Sequence, residues 1–142
     1  MANVIPYAFR GELFTGTHNF ASGGDQFKLA LYTSNPYTTA STVYVTTNEV
    51  SSAGGTNYTA AGNDLGSNAV AYSTAVASCD FADTSWTSAT ITAAFGTIYN
   101  DSQSDKLCVV LDFDGSKSCT NGTFTISFPS PSTPADAIIS MA

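Results

Sequence analysis

Lys106-Leu107-Cys108-Val109-Val110-Leu111-Asp112-Phe113, followed by Gly122-Thr123-Phe124-Thr125-Ile126-Ser127-Phe128, is the stretch whose reading decides the fold. In the second run Phe124, Ile126 and Phe128 alternate with Thr123, Thr125 and Ser127, the period of two that a strand with one buried face imposes. Pro129 has no amide hydrogen to offer a ladder and closes the run. In the first run Leu107, Val109, Leu111 and Phe113 fall on one side and Cys108 and Val110 on the other, which predicts a strand buried on both faces. Asp114 to Gly122 carries turn chemistry at both ends, so the two runs read as a hairpin with a loop of several residues.

The same alternation recurs outward from this point. Gln26 to Thr33 places Phe27, Leu29 and Leu31 inward and stops at Asn35-Pro36, and Thr42 to Thr46 is a short β-branched run. Trp86 to Tyr99 alternates through Ile91, Ala93 and Phe95, with Gly96 as a candidate bulge. Val70 to Tyr72, Ala77 to Phe81 and Ala137 to Met141 read as shorter strands, with a long loop from Ala60 to Asn68. Tyr7 to Phe14 is the one segment with a helical claim, and Gly16 stands where a C-terminal cap would be. Many short strands with no alternating long helices predict an all-β antiparallel sandwich. Its 142 residues form one domain, and residues 1–16 serve as an N-terminal arm or short helix.

Composition narrows the function classes. Apolar residues make up 43% of the chain, enough for a real core, while charged residues make up only 11%. Four basic residues, Arg10, Lys28, Lys106 and Lys117, stand scattered against eleven acidic ones, for a net charge of -7. Nucleic-acid affinity rests on clustered cations, so DNA and RNA are not expected as partners. No apolar run is long enough to span a bilayer and no signal-peptide pattern opens the chain, so no membrane is expected and the protein is expected to be made in a cytosol.

Cys79, Cys108 and Cys119 form no CxxC pair, and with a single histidine they do not spell a zinc site; reduced, partly buried thiols are the expectation. His18 has no identifiable base or nucleophile partner and reads as a turn residue. Asp112 with Asp114, and Asp101 with Asp105, offer oxygen ligands in pairs, but neither pair matches a calcium loop. Two Asn-x-Thr sequons, at Asn57 and Asn121, read as turns. With no nucleophile elbow, phosphate loop or placed acid and base, neither catalytic residues nor a cofactor or metal is expected.

Several segments carry a resemblance: Phe27 to Tyr32, Thr47-Asn48-Glu49-Val50, Asn57 to Gly62, Phe81 to Trp86, Ala93 to Tyr99 and Val109 to Phe113, in this order. Over nearly its whole length the chain resembles a group of small tailed-bacteriophage virion proteins, of the capsid decoration or cement type. It departs from the group's pattern at Ala61, where a second glycine is typical, and at Asp114, where a glycine often follows the phenylalanine. The resemblance implies a structural protein on the outer capsid surface that binds the major capsid protein and itself, as a homotrimer. The alternative within the virion is a tail or fibre adaptor touching the host surface. Val4, Ile5, Tyr7 and Phe9 in the N-terminal segment, and the loop tyrosines Tyr37, Tyr44 and Tyr58, are the candidate contact residues, the tyrosines also as sugar contacts.

Overall fold

A computed structural model describes residues 3–129 and 137–141. It is an all-β structure of two antiparallel sheets with one short helix. In chain order the elements are α1 (Tyr7–Phe14), β1 (Phe27–Tyr32), β2 (Asn63–Leu65), β3 (Ala69–Ser73), β4 (Val76–Asp80), β5 (Thr84–Asn100), β6 (Lys106–Ile126) and β7 (Ile139–Met141). The larger sheet has the order β2-β1-β5-β6 and the smaller one β3-β4-β7.

The decisive stretch folds differently from its reading as a hairpin. Lys106 to Ile126 is one strand that stays antiparallel to β5 throughout, from Asn100↔Lys106 to Thr84↔Ile126. The hairpin is β5 with β6, joined by a 3-10 turn at Asp101–Gln103. The turn residues within β6 do not reverse the chain; they are absorbed as irregularities of the ladder. Between Ala93↔Lys117 and Phe95↔Asp112 the β6 side carries the extra residues, and there Asp114 and Gly115 have φ of 53° and 94°. Between Ala89↔Gly122 and Ile91↔Cys119 one extra residue lies on β6, beside Asn121 at φ 47°. Asp, Asn and Gly tolerate the left-handed region, so the residues that suit a turn also suit a bulge.

A further register shift between Ile98 and Tyr99 changes the predicted faces of β6. Leu107 shares a face with Val110, while Cys108, Val109 and Leu111 join the other. From Leu107 to Leu111 the strand is buried on both faces, as its sequence predicts. On one face Phe27, Leu29, Leu31, Ile98 and Val109 pack in a cluster with Phe9 and Phe20 and with Cys79, Phe81 and Ile139 from the region of the smaller sheet. On the opposite face Ala30, Tyr32, Tyr99, Leu107 and Val110 are covered by Val4, Tyr37, Tyr44 and Val45.

Three smaller expectations are corrected. Thr42 to Thr46 forms no strand, only the bridge Val43↔Lys106. The Ala60–Asn68 loop contains β2, which pairs Asn63 to Leu65 with β1. Gly96 is no bulge, since it pairs in register with Leu31 and Leu111; a Cβ there would stand 2.9 Å from the Phe113 ring, so its role is to make room.

The turn entering β2 depends on glycine for a different reason. Gly62 has φ +80°, and a Cβ on it would collide with the Leu29 carbonyl. Neighbouring Ala61 also has positive φ, 73°, which a side chain resists. Gly62→Ala is therefore expected to cost more than about 3 kcal/mol, whereas Ala61→Gly should add up to about 1 kcal/mol. Urea unfolding midpoints of the two variants, moving in opposite directions, check this.

Candidate functional site

The N-terminal segment is tied to the sheet before the helix begins. Val4 exchanges both backbone hydrogen bonds with Val110, at 2.9 and 2.8 Å, and the Asn3 side-chain oxygen accepts from the Asp112 amide. Helix α1 then ends in a Schellman motif: the Gly16 amide donates to the Leu13 carbonyl and the Thr17 amide to that of Glu12, with Gly16 at φ 69°. Both the helix and its glycine stop stand where the sequence places them.

Phe9, at 0% exposure, is the inward anchor of α1, 5.0 Å from the His18 ring and edge-on to Phe20 at 6.1 Å. It is a core residue and offers nothing to a partner, contrary to its expected role. Val4 is half-buried under the same constraint, while Ile5 and Tyr7 are exposed.

Beside Phe9 lies a polar cluster that sequence reasoning missed. His18 is buried, not a surface turn residue; its Nε2 lies 2.8 Å from Glu12 Oε2 and its Nδ1 3.0 Å from Asn100 Nδ2. Asn100 Nδ2 also donates to Asp25 Oδ2 at 2.8 Å, and a carboxylate only accepts. That contact fixes the amide orientation, so His18 Nδ1 accepts from Asn100 and Nε2–H donates to Glu12. Lys106 Nζ completes the cluster on Glu12 Oε1 at 2.6 Å. Burial alone would raise the Glu12 carboxyl, but hydrogen bonds from Lys106 and His18 hold it below the ordinary carboxylate range. Asp25 is likewise held low, against its own burial, by Asn100 and the Asn19 amide. The cluster pins α1 to the end of the β5–β6 hairpin. No short-range motif announces it, because its members are spread from residue 12 to residue 106.

The outer side of α1 is its opposite in character. Tyr7 is 57% exposed, Phe14 94% and Met141 of β7 58%. With Gly11 and Leu13 they line a shallow depression in which, among the described residues, Arg10 is the only charged one.

The loop tyrosines do not join this surface. Tyr58 is buried; its hydroxyl accepts from the Leu31 amide and donates to Glu49 Oε1 at 2.7 Å. Tyr44 donates to Glu49 Oε2 at 2.6 Å and stacks on Tyr99, with centroids 4.6 Å apart. Tyr37 is buried, its hydroxyl 2.7 Å from that of Tyr32. Tyr37 and Tyr58 are buried and Tyr44 is half-buried, and the three hydroxyls satisfy polar groups within the fold. Burial pushes all three phenols above their ordinary range, further in Tyr44 and Tyr58 through Glu49.

Among the described residues no three His, Cys, Asp or Glu side chains converge on a point that would hold a metal ion. Asp112 Oδ1 accepts from the Asp114 amide, and Asp101 lies 3.5 Å from Lys28 Nζ. No family model, curated protein or solved structure matches the chain.

The two depressed carboxyls set a pH dependence. Groups held below their unfolded values stabilise the fold at pH above the unfolded carboxylate range, and that contribution is lost as pH falls through the folded values. The urea midpoint is therefore expected to drop between about pH 5 and pH 2. Glu12→Gln should cost about 1–3 kcal/mol at neutral pH and flatten that drop. A urea titration series across this range checks both.

Proposed function

We propose that this chain is a non-enzymatic structural subunit of a tailed-phage particle, bound to the outside of the capsid shell as a decoration or cement protein. The observation that carries the reading is the outer face of α1. A phenylalanine 94% exposed beside an exposed tyrosine and methionine is an apolar patch that a purely solvated protein has no use for. The patch sits on a body of net charge -7 and, among the described residues, carries one cation, Arg10, which suits it to an apolar surface bearing carboxylates.

Support also comes from the resemblance to phage virion proteins. At the two positions where this chain replaces a glycine of their pattern, Ala61 and Asp114, the backbone has φ of 73° and 53°. These are conformations that glycine adopts without strain, so the pattern of that group suits this backbone. The shell protein is the partner under this reading, and copies of the chain itself a second one. The tail or fibre adaptor reading relied on loop tyrosines as sugar contacts, and Tyr37 and Tyr58 are buried.

Point variants separate attachment from folding. Tyr7→Ser and Phe14→Ser alter exposed side chains and should leave the unfolding midpoint within about 0.5 kcal/mol of wild type. Phe9→Ala should cost about 3–5 kcal/mol. Cosedimentation with purified particles lacking the protein is expected to show binding by wild type and its loss in the Tyr7→Ser, Phe14→Ser double variant. Undiminished binding by that folded variant, or no binding by wild type, would overturn the proposal.

A further inference from the structure

Four strands form the margins of the two sheets: β2 and β6 in the larger, β3 and β7 in the smaller. A margin strand presents unpaired backbone donors and acceptors, and proteins guard such edges with charge, proline, bulges or brevity. β2 is three residues long and carries Asp64. β7 is three residues long. β6 carries Asp112, Asp114 and Lys117 and is broken by the left-handed residues Asp114, Gly115 and Asn121.

β3 has none of these guards. Ala69-Val70-Ala71-Tyr72-Ser73 contains no charge and no proline, and it pairs with β4 in unbroken register at all five positions. Among the described residues β4 is its only strand partner. Its side chains are exposed as well as its edge: Tyr72 is 81% exposed and Val70 40%.

We propose that β3 is a self-pairing edge, which joins antiparallel to β3 of a second copy across a two-fold axis at Ala71. This goes beyond shell attachment and does not rest on it. The occupant is a second copy because the strand is its own complement. Antiparallel pairing about Ala71 sets Val70 opposite the partner's Tyr72, and Ala69 opposite the partner's Ser73. An aromatic side chain facing a β-branched one is a favourable cross-strand pair, and the symmetry makes it twice. Val70 also lines a wholly apolar hollow of about 100 Å³ with Leu13, Phe20, Ala77 and Ile139, so the incoming Tyr72 adds its ring at that margin. Charge argues the same way. Two bodies of net charge -7 repel, and β3 lets them meet along a strand that brings no carboxylate to the contact. The product is a two-fold pair with a continuous six-stranded sheet, in place of the three-fold ring that the resemblance implies.

The test is the mass of the full-length protein in solution, by light scattering across a concentration series. Twice the chain mass is expected for wild type, and the chain mass for Tyr72→Lys, which places a guarding charge on an exposed position. Matching unfolding midpoints show that the variant is folded. Under mild oxidation Ala71→Cys should form a covalent dimer above the wild-type background, and Ala69→Cys, four residues from its own copy in this register, should not. A monomer at every concentration, a three-fold mass, or a dimer that survives Tyr72→Lys without cross-linking through Ala71→Cys would overturn the proposal. Tyr7 and Phe14 are untouched in these variants, so particle binding by the monomeric Tyr72→Lys protein separates failure here from failure of the attachment reading.

Discussion

The antiparallel pairing of β5 with β6 is the constraint on which the rest of the structure depends. It supplies the ribbon on which the larger sheet is built, since β1 docks on the free side of β5 from Phe27↔Asn100 to Tyr32↔Phe95. It also supplies the anchor of the helix, because the last rung of the hairpin is Asn100↔Lys106. Those two side chains bond His18 and Glu12, so the same turn that closes the ribbon positions α1. With Phe9 and the Asn100–His18–Glu12–Lys106 chain both holding its inner side, the exposed face of α1 is presented rigidly. A backbone held in this way has little freedom left to lose at an interface, so the ordering cost falls on the exposed side chains alone.

A chain with so few charges places several of them where they hold elements together. Glu12, Asp25 and Lys106 converge on one cluster under α1, and Glu49 gathers two tyrosine hydroxyls and the Ala61 amide under the loops of the other face. Glu12, Asp25 and Glu49 are half-buried and each accepts hydrogen bonds from several donors, which is the condition under which such groups stabilise a fold. Asn100 Oδ1 is buried without a partner among the described residues, a local cost of orienting the amide toward His18 and Asp25.

What the sequence reveals and what it hides divide along a physical line. Phe27 to Tyr32, Trp86 to Tyr99 and Lys106 to Phe113 are legible because burial on a sheet writes a period of two into adjacent residues. Tyr7 to Phe14 is legible because Gly16 supplies the left-handed stop. The continuation of β6 through Asp114 to Gly122 is not, since glycine, asparagine and aspartate mark a left-handed backbone without telling a bulge from a reversal. Only the partner strand decides that, and Ser88 at φ 49° in β5 shows that the ribbon is irregular on both sides. The contact surface is half legible. Tyr7 is exposed as expected, whereas Phe9, Tyr37 and Tyr58 turn inward because aromatic residues serve cores and surfaces alike. Phe14 and Met141, 127 positions apart in sequence, meet only through the fold.

The central claim is that Lys106 to Ile126 runs as one strand along β5 without folding back on itself. Nuclear Overhauser contacts measured on the isotope-labelled protein test it most directly. Cross-strand contacts linking Thr92 to Ser118, Ile91 to Cys119 and Trp86 to Phe124 are predicted. Contacts joining the 107–113 segment to 122–128 as a hairpin, with none from 114–122 to β5, would contradict it.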